Sequence, residues 1–213
     1  GSARQINSLV FSSDGASLFS GADEAYIRKW DLNKSIESDK FLVSVHCKSL
    51  ELVNDEKEIL AGCFQKIYRI NIEEKKIVKT FSTKNINSAV KMSSDGKIVA
   101  YGDHDYYVGV IDYSTSKEIN GNANHSYLII GVSIDTDNGK IISCSQDGCI
   151  NLWDYKNNQF VSFISDSEGK ERLIYDSEGY WDASANGGEF VGMVRGLESW
   201  NIDQFAARNN RPD

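Results

Sequence analysis

A repeat of 40 to 42 residues constrains the fold of this 213-residue chain more than any other feature. Short motifs that end at Asp31, Asn71, Asp112 and Asp154 mark four successive units, at steps of 40, 41 and 42 residues. The motif reads Arg-Lys-Trp-Asp in the first unit and Asn-Leu-Trp-Asp in the fourth. Repeats of this length predict an array of like structural units, each too small to bury its apolar face alone.

Tight-turn motifs recur with the same spacing between short runs of β-forming residues. Asp14-Gly15, Asp95-Gly96 and Asn138-Gly139 are turn signals, because these residue types tolerate positive φ. Residues 1–165 show no sustained helical periodicity, so each unit is predicted to consist of four strands. In the first unit the strands are expected at residues 7–11, 17–20, 26–31 and 41–44.

The fourth unit resembles the WD-repeat family, whose four-stranded units are the blades of a β-propeller. Its His precedes the first strand, and its Ser, Asp and Trp follow at the family's spacing. In that family the four matching side chains form a hydrogen-bonded network across one blade. The resemblance assigns these structural roles to His125, Ser143, Asp147 and Trp153. Such a network would give each buried polar group a partner.

The other units depart from the motif but keep its period. The first keeps Ser20 and Trp30, with Glu24 at the Asp position, and the third keeps only Asp105. The resemblance therefore implies an all-β WD-repeat β-propeller, with four recognisable four-stranded blades over residues 1–165. Since the family usually has more blades, this chain either closes as a small ring or is a partial propeller. Sequence outside the chain, or self-association with a second copy, would then protect the open edges.

Residues 166–213 break the repeat. Gly179-Tyr180-Trp181-Asp182-Ala183-Ser184 and the following Gly187-Gly188-Glu189 resemble the segment after WD repeats in some bacterial multidomain proteins. Some of those proteins carry a caspase-like peptidase domain. The resemblance implies a divergent fifth blade or closing segment at 166–196. It also implies a C-terminal tail at 197–213, with a short amphipathic helix near 203–209.

Charge and cysteine content argue against several classes of function. The net charge of −8, from 31 acidic and 23 basic residues, disfavours nucleic-acid partners and anionic membranes. No apolar run approaches the roughly 18 residues that span a bilayer. The four cysteines lack the spacing of a metal site, so they are expected to be reduced in a cytoplasmic protein. They are Cys47, Cys63, Cys144 and Cys149.

The sequence offers no catalytic, metal or cofactor site. None of His46, His104 and His125 lies in a caspase-type nucleophile motif, and there is no Gly-x-Ser-x-Gly elbow. Residues 135–139 resemble the start of a calcium loop. However, Gly139 and Gln146 stand where that loop needs acidic ligands, so a hairpin turn is predicted instead.

The remaining candidate site is a surface. In a propeller, the loops between second and third strands and between successive blades line one face, which is the usual docking site in the family. The candidate partner-binding residues in these loops are Glu24, Phe64, His104, Tyr106, Tyr127 and Gln146. Exposed aromatic rings within a polar rim are typical of binding hot spots, although each ring could instead pack over its neighbouring blade.

The predicted function is a non-catalytic protein–protein interaction scaffold within a larger bacterial multidomain protein. Its expected ligand is a protein or peptide, with no cofactor. The alternative is the regulatory or targeting domain of a caspase-like peptidase whose catalytic domain lies outside this chain.

Overall fold

β-strands form nearly all the regular structure of the protein. The computed structural model describes residues 4–190 and the backbone of two further strands, Gly192–Arg195 and Glu198–Asn201. The strands are β1 Ile6–Phe11, β2 Ser17–Ala22, β3 Tyr26–Asp31, β4 Ile36–Leu42, β5 Ser49–Val53, β6 Glu58–Asn71, β7 Lys76–Met92, β8 Ile98–Asp103, β9 Val108–Asp112, β10 Glu118–Asn122, β11 Ile129–Asp135, β12 Lys140–Ser145, β13 Cys149–Asp154, β14 Gln159–Ser165, β15 Arg172–Asp176, β16 Trp181–Ala183, β17 Gly192–Arg195 and β18 Glu198–Asn201. A single turn of 3-10 helix at Gly187–Phe190 is the one helical element in the described part of the chain.

Unit 1 is an antiparallel sheet in the order β1-β2-β3-β4. Its fourth strand begins at Ile36, earlier than the predicted 41–44. The reason is a tight turn directly after β3. The Asp31 carboxylate accepts the Lys34 amide at 3.0 Å, and Ser35 adopts a positive φ of 55°. Turns closed by an Asp side chain in this way need few residues.

Units 2 and 3 have the same four-stranded order, but β6 and β7 are each continuous and supply two strand positions. The Ile72 amide donates to the Lys57 carbonyl at 3.0 Å, so the two ends of β6 lie side by side. Gln65, with φ 56°, lies at the turn between them. β6 therefore supplies both central strands of unit 2. The first part of β7 pairs with β6 and completes unit 2, and its last part pairs with β8 and begins unit 3.

Unit 4 consists of β11 to β14 and is extended by β15 and β16. Ser165 pairs with Arg172 across a hairpin whose turn is closed by the Asp166 carboxylate and the Lys170 amide, 2.8 Å apart. Residues 166–183 thus widen the sheet of unit 4, which differs from the fifth blade or closing segment expected at 166–196. β17 and β18 pair as a separate hairpin. The predicted helix at 203–209 lies outside the described residues.

The predicted tight turns are built alike in units 1 and 3. The Ser12 hydroxyl donates to the Asp14 carboxylate at 2.6 Å, and Ser93 donates to Asp95 at 2.7 Å. Gly15 has a φ of 68° in the first of these turns, as only glycine and a few polar residues readily do. The Asp-Gly pairs therefore fix where the first strand of each unit ends.

The units stack face to face, with their first strands in contact in the order β1, β5, β7, β11. We call the side of a sheet that is turned to the following unit its forward face, and the opposite side its rear face. The core between units 1 and 2 joins Phe19, Ile27 and Phe41 to Ile59, Ala61 and Ile70. The core between units 2 and 3 joins Leu60, Ile67 and Phe81 to Val90 and Val99. The core between units 3 and 4 joins Ala100, Val108 and Val110 to Ile129, Ile141 and Trp153. Each unit thus buries its apolar faces against its neighbours.

Candidate protein-binding surface

One backbone hydrogen bond recurs at the same end of every unit. The amide at the start of the loop between second and third strands donates to a carbonyl in the segment leading into the first strand. These bonds join Asp23 to Gln5, Phe64 to Val45, His104 to Ile86 and Gln146 to Leu128, at 3.0 to 3.1 Å. Equivalent bonds place Phe64, His104 and Gln146 at equivalent positions of successive units. We call the surface formed by these loops the loop face.

Two aromatic pairs lie on the loop face, and one of them bridges neighbouring units. The rings of Tyr106 and Tyr127 stack with centroids 6.0 Å apart and planes 11° apart, and both side chains are exposed. Phe64, also exposed, meets the His46 ring edge to face at a centroid distance of 6.3 Å. The Tyr106–Tyr127 pair therefore packs across the boundary between units 3 and 4, whereas His46 and Phe64 both belong to unit 2. Each pair still presents a face to solvent. Such pairing holds the rings in place before any ligand arrives.

His104 lies half-buried on the same surface as the two pairs. Its burial lowers the pKa of the imidazole, and the positive charges of Lys48 and His46 lower this pKa further, against a smaller opposing effect of Asp105. A neutral His104 is therefore expected at pH 7. Its ring can then donate or accept a hydrogen bond without the cost of burying a charge.

A polar cluster around Asp23 supports the His46 end of this surface. The Asp23 carboxylate accepts hydrogen bonds from Lys48 and Asn7, each at 2.9 Å, and lies 3.2 Å from the Nδ1 atom of His46. Lys48 is the main cause that lowers the pKa of Asp23 to about 2. Sequence reasoning missed this cluster because the contact joins loops of two units. Each loop sequence gave one local signal of this contact, a polar residue.

Three of the four expected network residues meet in unit 4. The Nδ1 atom of His125 lies 3.0 Å from the Asp147 carboxylate, and its Nε2 atom lies 2.9 Å from the Ser143 hydroxyl. Asn151, which accepts a hydrogen bond from Ser162 at 2.6 Å, donates to Nε2 at 3.2 Å. Because Nε2 accepts, the neutral ring carries its proton on Nδ1 and donates it to Asp147.

Asp147 also closes its own loop. Burial raises its pKa, but hydrogen bonds from the amides of Ser126 and Cys149 and from His125 together hold the pKa below the ordinary value. The Ser126 amide donates at 2.8 Å, which ties the segment before β11 to the loop after β12. The network thus positions the loops that carry Tyr127 and Gln146.

The Trp153 indole lies outside this network, contrary to the role assigned from the resemblance. It donates to the Asn158 side chain at 3.3 Å rather than to Ser143. The acceptor is supplied instead by Asn158, in the turn between β13 and β14. In unit 1 the equivalent Trp30 indole does donate to the serine hydroxyl, that of Ser20, at 2.9 Å.

Known proteins share both the repeat and its stacking. The family model described as "WD domain, G-beta repeat" matches residues 1–31 and 116–154. The solved structure described as RRP9 WD40 repeats superposes with a TM-score of 0.66 at 15% identity, covering 93% of this chain and 68% of that one. The fold is that of a WD-repeat β-propeller.

The relatives of this propeller are distant and much longer. Apoptotic protease-activating factor 1 of Mus musculus is 21% identical over 81% of this chain, which spans 14% of that protein. Pre-mRNA-processing factor 17 of Homo sapiens is 25% identical over 70% of this chain, which spans 28% of it. The chain therefore corresponds to a fraction of each relative's length.

The predicted surface residues divide into two groups in the propeller. Phe64, His104, Tyr106, Tyr127 and Gln146 all lie on the loop face. Glu24 lies in the loop of unit 1, but its carboxylate is held by Arg28, with N–O distances of 2.8 and 3.0 Å. Glu24 therefore acts as an ion-pair partner within unit 1.

Within the described residues of the propeller, no three His, Cys, Asp or Glu side chains cluster as a metal site. In the same part of the chain, no helix is long and apolar enough to cross a bilayer.

The Asp23 cluster makes a pH-dependent contribution to stability. With a folded pKa of about 2 against an ordinary value of 3.8, the contribution is complete above pH 3.8 and is lost as the pH falls towards 2. We expect a loss of about 1–2 kcal/mol after allowance for solvent screening. Urea unfolding of wild type and Asp23→Asn between pH 5 and pH 2 measures this contribution. It equals the difference between the unfolding free energies of the two proteins at each pH.

Lys48→Met tests whether the ion pair with Lys48 causes the low pKa of Asp23, because it removes the main partner of that carboxylate. It should abolish most of the pH-dependent difference. A difference that persists in Lys48→Met would contradict the assignment of the low pKa to this ion pair.

Proposed function

We propose that this propeller is a non-catalytic protein-interaction scaffold that binds a protein or peptide segment on its loop face. The observation that carries the proposal is the pair of exposed aromatic contacts, Tyr106 with Tyr127 and His46 with Phe64. Aromatic side chains lose little conformational entropy on binding and are enriched among interface hot spots.

The main chain that carries these rings is held by hydrogen bonds. The amides of Phe64 and His104 donate to carbonyls of the neighbouring segments, and Tyr127 follows the Ser126 amide that Asp147 accepts. An ordered site costs less entropy to occupy than a mobile one. An apolar or aromatic anchor of the ligand would lie between the two pairs, with Gln146 and His104 available for its polar groups.

The sequence-based expectations of cytoplasmic location, of no nucleic-acid partner and of self-association belong to the same proposal. Four free thiols support a reducing compartment, and the net charge of −8 disfavours phosphate backbones. Catalysis would be detected as turnover by the isolated chain across a panel of hydrolase substrates, and any reproducible turnover would overturn the non-catalytic part.

A second candidate function is regulation of a protease within a larger protein. Two observations favour it. The segment from Gly179 to Ser184 resembles the one found beside caspase-like peptidase domains in bacteria, and one relative is named as a protease-activating factor. In this version the loop face would bind the protease-linked partner, and the chain itself would remain non-catalytic.

Selection of phage-displayed random peptides on the isolated chain tests the loop face directly. We expect enriched peptides whose affinity falls on the order of 30-fold in the double variant Tyr106→Ala, Tyr127→Ala, because interface aromatic rings contribute about 2 kcal/mol or more. Phe64→Ala should weaken the binding of the same peptides.

Val78→Ala is the matched control, since Val78 is an exposed apolar side chain on the outer strand of unit 2. It should leave peptide affinity unchanged. Absence of enriched peptides, or peptides that bind the aromatic variants as tightly as wild type, would overturn the proposed site.

A further inference from the structure

Units 1 to 3 bury equivalent apolar residues on their forward faces. These are Phe19, Ile27 and Phe41 in unit 1, Leu60, Ile67 and Phe81 in unit 2, and Ala100 and Val108 in unit 3. None of them is more than 3% exposed, because the next unit covers them. The same contact is therefore made three times within one chain.

Unit 4 exposes the residues at the same positions. Ile142, Ile150 and Phe163 are 44%, 49% and 38% exposed. Ile150 pairs with Phe163 as Ile27 pairs with Phe41 in unit 1, so the registers agree. β15 leaves this face open, because it joins the edge of β14 instead of stacking on the sheet.

Unit 1 exposes the opposite half of the same contact. Leu9 and Phe11, on its rear face, are 55% and 60% exposed. The residues three repeats later, Val132 and Ile134, pack against unit 3. Among the described residues, no unit covers the forward face of unit 4 or the rear face of unit 1. Contiguous exposed apolar residues of this kind mark interaction surfaces.

We propose that two copies of this chain close into one ring, each packing the forward face of its unit 4 on the rear face of the other's unit 1. The contact continues the one seen between units 1 and 2, 2 and 3, and 3 and 4. Head-to-tail contacts of this type form a closed ring when the rotation completes a circle. Four units from each copy give about eight blades, a number that closed propellers reach.

The repeated contact favours this head-to-tail arrangement over the packing of two like faces, because every contact between units joins a forward face to a rear face. The outer rims carry charges. Lys40, on the outer strand of unit 1, lies on the rear face through its register with Arg28 and Ser20. Asp182 pairs with Ile174, which pairs with Phe163, and so lies on the forward side of unit 4. Both faces also carry charges of the other sign. Glu24 and Glu37 pair with Arg28 on the rear face. Arg172 lies beside Ile150 and Phe163 on the forward face. The arrangement therefore follows from the repeat register of the apolar residues.

Light scattering of the wild-type chain measures the mass in solution. The ring predicts twice the chain mass of 23.8 kDa. Ile150→Glu and Phe11→Glu each place a charge on one of the two faces, and each should weaken the dimer on the order of 100-fold. Both positions are exposed in the single chain, so circular dichroism should show that the fold is retained.

Mixing the two variants separates this arrangement from other dimers. Each variant alone has both contacts damaged. A mixed pair, however, keeps one intact contact, between the unit 4 face of Phe11→Glu and the unit 1 face of Ile150→Glu. We therefore expect a heterodimer in the mixture and monomers in each variant alone. Ile77→Glu, at an exposed position on the outer strand of unit 2, is the control and should remain dimeric.

A wild-type monomer at the highest soluble concentration would overturn the ring, and so would assemblies larger than two chains. A dimer that survives both variants would also overturn it. The inference rests on the proposed self-association, whereas peptide binding is separate from it. Monomeric Ile150→Glu should still bind the peptides selected on the loop face, so failure of one proposal can be told from failure of the other.

Discussion

Replacing Trp153 with alanine should lower the free energy of unfolding by about 3–5 kcal/mol, the usual cost of deleting a large buried aromatic side chain. Trp153 is 2% exposed and lies in the core between units 3 and 4, with Ile141 and Val110. Its loss would leave a cavity in the contact that holds unit 4. Urea denaturation followed by circular dichroism gives the value.

Trp30→Ala is the matched control for this prediction. Trp30 occupies the same position in unit 1, where no described unit packs on its face, and the side chain is only half-buried. Its removal should cost less than half as much as removal of Trp153. Both variants are best compared in the Ile150→Glu background, where self-association is expected to be lost. Equal losses for the two tryptophans would contradict the stacking of unit 4 on unit 3.

Asn87→Asp should cost about 3 kcal/mol or more at neutral pH, because it places a carboxylate among carbonyl oxygens in a fully buried site. The Asn87 amide donates to the Cys63 carbonyl at 2.7 Å, to the Lys66 carbonyl at 3.3 Å and to the Thr83 hydroxyl at 2.8 Å. It thereby ties the turn of unit 2 to the first strand of unit 3.

The cost of Asn87→Asp should depend on pH with a definite sign. Burial raises the pKa of the new carboxyl above its unfolded value of about 3.9, so the loss grows as the pH rises above 4. At pH 4 the protonated carboxyl can still donate one hydrogen bond. Chemical denaturation at pH 4 and pH 7 measures the difference, with Asn33→Asp as the control at an exposed turn position. A loss that is the same at both pH values would show that residue 87 is hydrated.

The period, the turns and the stacking could be predicted from the sequence because they depend on local rules. Asp-Gly pairs need positive φ, and a unit of this length with four apolar strands must share its core with a neighbour. Those rules place Ser12–Gly15 and Ser93–Gly96 correctly and give repeated all-β units, and the resemblance of the fourth unit implies the WD-repeat fold. The predicted start of β4 was wrong because the Asp31 turn is tighter than the sequence indicated.

The contacts between units could not be predicted in the same way. The Trp153 indole was assigned to the network with Ser143, but in the structure it donates to Asn158, in the turn after β13. Similarly, Asp23 and His46 belong to loops of different units. β15 follows a hairpin that the broken repeat did not reveal. Each of these depends on tertiary distances that spacing alone leaves undetermined.

Nuclear Overhauser effects between methyl groups of neighbouring units test the central claim, the serial stacking of the units, most directly. The stack predicts cross-peaks within each core: Ile27 with Ile59, Leu60 with Val90 or Val99, and Val110 with Ile129 or Ile141. Methyl-labelled Ile150→Glu protein is the sample, since it is expected to be monomeric. Cross-peaks in this order would support the account. Their absence in a folded sample, or cross-peaks that join unit 1 directly to unit 3, would contradict it.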